Sequence, residues 1–157
     1  MALMGIPIGH EDDPERTLLA ALEIRHLSRT YSQRMKAEKN LSIALRIGVH
    51  MGLVVFDQVG SNQQMQYSVI GDAVNTAARM EQNARPDSIL TTDAVYELTQ
   101  HSFIFQKNDI LLVKGKSKPI QTYEVLEAIK HEQRQRGFGL RTIPFIGRED
   151  PLAQLIL

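Results

Sequence analysis

Residues 66–80 read Gln-Tyr-Ser-Val-Ile-Gly-Asp-Ala-Val-Asn-Thr-Ala-Ala-Arg-Met, and this stretch decides the fold. Tyr67, Val69 and Ile70 have the character of a strand end. Gly71 permits a sharp turn, and Asp72 stands where an N-cap carboxylate would accept orphan backbone N–H groups. From Ala73 to Asn83 the composition predicts a helix, with Val74, Ala77 and Ala78 as its apolar stripe. Asn75 and Arg79 are four residues apart, so they fall on one side of that helix. A strand end, a tight turn and an Asn/Arg ledge on the first helical turns would make a phosphate-facing surface. The plain alternative is a solvated helix face, and the surrounding chain has to decide between them.

Bulk properties narrow the classes. A chain of 157 residues suits one main domain. Eighteen basic and eighteen acidic side chains cancel, so charge gives no reason to expect nucleic acid or an anionic membrane as partner. Cysteine is absent, which removes disulfides, thiolate metal sites and cysteine nucleophiles together and fits a reducing compartment. The most apolar region, Ile43 to Phe56, is interrupted by Arg46 and His50 and is too short to span a bilayer. The N-terminus has no basic segment followed by an apolar one, as a signal peptide would. A soluble cytoplasmic domain is the expectation.

Around the central stretch, Met1 to Ile8 is apolar and starts abruptly, like the tail of a buried strand, so the chain is expected to begin inside a domain. Asp13-Pro14-Glu15 is a helix start, with Asp13 as N-cap and proline first. That helix should reach about Glu38, burying Leu18, Ala21 and Leu22, with a polar second half in solvent. The His10-Glu11-Asp12-Asp13 cluster is expected to be a capped turn and not a metal site, for no second ligand group accompanies it at helical spacing. Leu41 to Val49 alternates as a strand, and Leu53 to Phe56 is expected to return beside it as a hairpin. His50, alone at the strand end, is expected to be structural. Met65 to Ile70 then leads into the Asn/Arg helix, which Pro86 stops. Ser88 to Leu90 predicts a short strand, and Thr92-Asp93 caps a helix through Leu98. Phe103 to Phe105 and Ile110 to Val113 suggest a second hairpin turning at Lys107-Asn108-Asp109, and Ile120 to Leu126 a last strand. The Lys114-Gly115-Lys116 turn could hold an anion but is not a P-loop. Beyond Glu127 the sequence turns polar and glycine-bearing. The expected division is 1–128 as the domain, 129–143 as linker and 144–157 as the start of another domain.

Together these pieces resemble the C-terminal half of a class III adenylyl/guanylyl cyclase catalytic domain. The residues that carry the resemblance are Arg46-Ile-Gly-Val-His-Met-Gly52, Tyr67-Ser-Val-Ile-Gly-Asp-Ala-Val-Asn-Thr-Ala-Ala-Arg79, and Val113-Lys-Gly-Lys116 with Tyr123-Glu-Val125. His10-Glu-Asp-Asp-Pro-Glu-Arg16 is similar as well, and the likeness covers about residues 1 to 127. Met51, where threonine is usual, and Asp57, near a glycine-rich position, depart from the pattern. Phe145-Ile-Gly-Arg-Glu149 resembles the lead-in of the NTPase module that follows the cyclase in soluble-cyclase-like proteins.

The resemblance implies an α+β, ferredoxin-like cyclase fold, truncated at its N-terminal side, with helices on one side of the sheet. It implies conversion of ATP to 3′,5′-cyclic AMP and pyrophosphate in a homodimer whose sites are assembled head to tail. By match, Arg79 would contact the α-phosphate and Asn75 would orient the ribose, as the catalytic pair. Lys114 would meet the terminal phosphates, and Ser68 lies where the family chooses its base, tilting the reading towards ATP. The Mg2+ or Mn2+ of the family is held by aspartates in its first half, so no metal ligand is expected in this chain, and Asp72 is not one. The alternative is an inactive cyclase-homology module, serving dimerisation or regulation beside an NTPase.

Overall fold

A computed structural model of the chain describes residues 1–61, 64–112 and 119–129, with backbone alone for 56–61 and 64–69. The first helix, α1, spans Asp13–Lys39. Its N-cap is Asp12, one residue earlier than the sequence suggests, because the Asp13 carboxylate is engaged in accepting the His10 backbone N–H at 2.7 Å. Leu18 and Ala21 are buried and Leu22 is half-buried, as the apolar pattern requires. The polar second half, from Arg29 on, is exposed apart from buried Met35 and half-buried Ser32. Residues 1–8 form no strand, and Met1 is 87% exposed.

Two sheets follow. Strands β1 (Arg46–Val49), β4 (Ser88–Thr92), β5 (Phe103–Leu111) and β6 (Ile120–Ala128) form a four-stranded sheet in the order β1-β4-β6-β5. Among the described residues, strands β2 (Val55–Ser61) and β3 (Gln64–Ile70) pair only with each other. Helices α2 (Asp72–Asn83) and α3 (Asp93–Thr99) flank β4 in the chain. The expected hairpin of 41–49 with 53–56 is therefore wrong on both counts. β1 pairs in parallel with β4, with Ile47 opposite Ile89, and α2 lies in the crossover that a parallel pair needs. The strand is also shorter than expected, since the residues before it are committed elsewhere. The Ile43 N–H donates to Ser32 Oγ at 2.9 Å, and the Leu45 N–H donates to Asp87 Oδ1 at 3.2 Å. Asp87, at φ 60, returns the bond by donating its own N–H to the Leu45 carbonyl at 2.8 Å.

Alternation sorts the side chains onto two faces. Val49, Ile89, Phe103 and Val125 bury Leu18, Ala21 and Val95 of α1 and α3 on one face. On the other, Met80 and Ala84 pack on Leu90, with Leu111 beside them. Helices thus cover both faces, not one as expected, because Gly48 leaves room for α2 on the side opposite Ile47 and Val49. A Cβ at Gly48 would overlap the Ala77 carbonyl oxygen and the Glu81 amide nitrogen and lie 2.8 Å from the Met80 carbonyl carbon. This is the close backbone approach that a strand glycine marks.

β5 is one continuous strand, not a hairpin turning at 107–109. The interruption read from the sequence is a bulge between Lys107 and Ile110. Carbonyls at the bulge find side chains: Asn108 accepts from Gln121 Nε2 at 2.6 Å, and Asp109 from Thr122 Oγ1 at 2.7 Å. A second irregularity falls opposite Ile104 and Phe105, and there the Arg25 guanidinium donates to the carbonyls of Val125 and Leu126 at 3.0 and 2.5 Å. Burial, then the charge of Arg29, lowers the pKa of Arg25, against the opposing pull of Glu124 and Asp87. One turn on, Arg29 donates to the Asp87 carbonyl at 2.9 Å. The two arginines fasten α1 to β6 at its register shift and to the residue just before β4. Among the described residues no helix is long and apolar enough to cross a membrane.

Two outcomes follow from this packing. Gly48→Ala should lower stability by about 1–3 kcal/mol or more, because the added methyl meets backbone and not a movable side chain. Urea unfolding checks it, and an unchanged midpoint would refute the close contact. Among the described residues β1 also presents an unpaired outer edge. The isolated chain should therefore sediment as species that grow with concentration, whereas a sharp monomer at every loading would contradict this.

Candidate functional site

The site is built on α2. Thr76 and Met80 are fully buried, and the Thr76 hydroxyl is satisfied by donating to the Asp72 carbonyl at 2.9 Å. The expected stripe of Val74, Ala77 and Ala78 is shifted accordingly: Val74 and Ala77 are half-buried and Ala78 is exposed. Thr76 reads as polar, but with its hydroxyl turned onto its own helix its methyl can face the sheet. Asn75 and Arg79 each precede a buried residue by one position, so they stand ~100° around the helix from the core face. Their Cβ atoms are about 5–6 Å apart by helix geometry. Asn75 is exposed and Arg79 half-buried. Among the described residues neither side chain has a hydrogen-bond or ion-pair partner, while the Arg79 carbonyl accepts from Asn83 Nδ2 at 2.8 Å.

The entry to α2 differs from the sequence reading in one respect. Gly71, not Asp72, is the N-cap. Its backbone is extended, so the need for glycine comes from space: a methyl there would lie 2.9 Å from the Leu53 carbonyl oxygen and 3.2 Å from Val54 Cα. The helix has no side-chain cap hydrogen bond. Its free N–H groups and its dipole favour negative charge near the first turn. An arginine two turns in, without a partner among the described residues, adds a forked donor suited to a phosphoryl oxygen.

Of the four site residues read from the sequence, the structure brings Asn75 and Arg79 together on one helix. Ser68 sits on β3, two residues before Ile70, in register with Asp57 of β2, so its strand runs directly into the α2 entry. Its side chain lies outside the described residues, as do Lys114 and the segment 130–157 in which the linker and second domain were expected. His50 has a definite partner, its Nδ1 lying 2.8 Å from Thr92 Oγ1. Gly48 and Gly52 entered the sequence reading only as members of a motif and Thr92 only as a helix cap, so their contacts around α2 and His50 were not foreseen. A glycine inside a strand pattern is the one signal that could have found that of Gly48. Among the described residues no group of three or more His, Asp or Glu side chains could hold a metal ion. These residues do not fit the metal that the resemblance implies.

Comparison with known proteins agrees with this architecture. Residues 1–127 match the family model described as the adenylate and guanylate cyclase catalytic domain. The receptor-type guanylate cyclase gcy-10 of Caenorhabditis elegans is 32% identical over 137 residues, which is 84% of this chain and 12% of that protein. The adenylate cyclase of Mycobacterium tuberculosis is 32% identical over 116 residues, 74% of this chain and 25% of that protein. Among solved structures, the guanylate cyclase domain of RhGC from Catenaria anguillulae, in complex with GTP, superposes with a TM-score of 0.69 at 30% identity. It covers 80% of this chain and 65% of its own. The adenylyl cyclase CyaB from P. aeruginosa shares the fold with a TM-score of 0.72 at 23% identity, over 80% of this chain and 65% of its own. The chain thus spans a quarter or less of these two curated relatives and 65% of these solved domains. With a mixed sheet, an α2 crossover and an Asn/Arg ledge in the matching region, the chain belongs to the class III adenylate and guanylate cyclase catalytic-domain family.

Proposed function

We propose that this chain supplies the Asn75/Arg79 half of an adenylate cyclase site, converting ATP to 3′,5′-cyclic AMP and pyrophosphate in a homodimer. The observation that carries the reading is the pair itself. Asn75 and Arg79 stand one helical turn apart, without partners among the described residues, on a helix whose depth is fixed by backbone contact with Gly48. Such a ledge is aimed by the fold before any ligand arrives, which is what electrostatic stabilisation of a transition state requires.

The chemistry is an in-line displacement. The ribose 3′-oxygen forms a bond to the α-phosphorus, its proton is lost, and the bond from that phosphorus to the bridging oxygen breaks to release pyrophosphate. Negative charge grows on the α-phosphoryl oxygens as the centre becomes five-coordinate. Arg79 donates to those oxygens, and its planar fork can meet two of them. Asn75 holds the ribose so that the 3′-oxygen faces the phosphorus. Lys114 pairs with the terminal phosphates, and the Ser68 hydroxyl accepts from the adenine amino group. The divalent metal has no holder among the described residues. Its carboxylates are assigned to a segment upstream of this one, on the partner subunit's side of a shared cleft. Relatives of both base specificities match this chain, so ATP rests on Ser68. By resemblance of the tail, the parent protein is soluble-cyclase-like, with an NTPase module after the cyclase and a cytoplasmic location.

Arg79→Ala tests the assignment in the assembled cyclase, meaning this domain together with the segment that supplies the carboxylates. Losing one such donor should cost ~3–4 kcal/mol of transition-state stabilisation, a fall of roughly 10²–10³ in kcat, with KM for ATP little changed. An unchanged kcat would remove Arg79 from its role. In the same assay ATP should be used in preference to GTP, and the reverse preference would overturn the reading of Ser68. The isolated chain, incubated with ATP and manganese, should form no cyclic nucleotide. Turnover above a blank would contradict the division of the site between two segments.

A further inference from the structure

His50 directly follows β1 and carries a half-buried ring. Its Nδ1 lies 2.8 Å from Thr92 Oγ1, and Thr92 is fully buried where β4 gives way to α3. The other end of the ring faces the 51–54 loop. A methyl at Gly52 would lie 3.4 Å from His50 Nε2 and 2.9 Å from Ala73 Cβ, the second residue of α2. Leu53 and Val54 of the same loop close over Gly71, the α2 N-cap. One imidazole therefore abuts the β4–α3 junction on one side and, through Gly52, the first turn of α2 on the other.

We propose that His50 is a positioning residue. Its ring pins the 51–54 loop to Thr92, and the loop holds the first turn of α2, so that Asn75 keeps the direction Arg79 already has. This rests on the reading of those two side chains as nucleotide-facing groups and adds the device that aims them. The need for it is physical. The first turn of a helix lacks intrahelical partners for its N–H groups, and α2 has no side-chain cap to compensate. The Gly48 contact grips Ala77 to Glu81, beneath Arg79 but beyond Asn75. The loop contact, through Gly52 and Ala73, acts on the turn from which Asn75 projects. An imidazole suits the task because its rigid ring hydrogen-bonds at one edge while its other edge packs. Leucine would keep much of the volume and lose the bond. Asparagine places an amide atom near the Nδ1 position and can retain it.

The test combines amide hydrogen exchange on the whole chain with steady-state rates of the assembled cyclase. It uses His50→Leu, His50→Asn and Thr92→Val, the last removing the same bond from the other side, with Arg79→Ala as reference. His50→Leu and Thr92→Val should speed exchange of residues 76–79 by about tenfold, while Ile89 and Val125 in the core strands stay within about twofold. In the cyclase kcat should fall about tenfold with KM for ATP within about twofold, and His50→Asn should recover most of both. Unchanged exchange at 76–79, or equal acceleration there and at Ile89 and Val125, overturns the proposal. So does failure of His50→Asn to recover either readout. If Arg79→Ala leaves the rate intact while His50→Leu still loosens α2, the cyclase reading falls and the tether stands. If Arg79→Ala abolishes the rate and His50→Leu alters neither α2 nor kcat, the tether falls and the cyclase reading stands.

Discussion

The contact between Gly48 and the backbone of α2 is the constraint from which the rest follows. No side chain fits between the strand and the helix there, so α2 rides on the sheet at one depth and one angle. That depth turns Thr76 and Met80 into the sheet and leaves Asn75 and Arg79 on the flank. The position of a pair of polar side chains is thus set by an absence of atoms on a neighbouring strand. Backbone-to-backbone packing is stiffer than contact through long side chains, and a group that must meet a phosphoryl oxygen gains from being mounted on it.

Around this contact, the sheet is less regular than a ladder of even strands, and its irregularities are each satisfied. Two register shifts between β5 and β6 free carbonyls that would otherwise pair. Gln121 and Thr122 reach back to one set, and Arg25 reaches down from α1 to the other. Asp87 extends the ladder with both its backbone and its side chain: its N–H donates to the Leu45 carbonyl, its carboxylate accepts from the Leu45 N–H, and its carbonyl receives Arg29. Among the described residues no buried side-chain nitrogen or oxygen is left without a partner. Arg79, half-buried and without a hydrogen-bond or ion-pair partner among the described residues, stands at the place where an anion is expected.

Much of this was legible in the sequence, and the exceptions have physical causes. The strand–glycine–helix order at 66–83 is local, written in turn chemistry and periodicity, and the structure keeps it. The pairing of β1 was not legible in that way. Residues 46–56 look like a hairpin because two apolar runs flank a short polar turn, whereas their partners are chosen by tertiary contacts: β4 for one, β3 for the other. The buried face of α2 was misjudged at Thr76, since a threonine that bonds its own helix can be as buried as valine. The break at Lys107-Asn108-Asp109 was seen but taken for a turn, for a bulge and a turn use the same residue types. Asn75 and Arg79 lie one turn apart on α2, as their four-residue spacing predicts. The tie between His50 and Thr92 joins residues far apart in the chain, and no local pattern announces it.

The central claim is geometric: Arg79 and Asn75 face a nucleotide held between two subunits. A crystal structure of the assembled cyclase with a non-cyclisable ATP analogue measures it directly. The account predicts the Arg79 guanidinium within hydrogen-bond distance of an α-phosphoryl oxygen and the Asn75 carboxamide on the ribose, with the metal carboxylates contributed from across the interface. Both side chains directed into solvent, or packed away from the cleft while the nucleotide sits elsewhere, would contradict it.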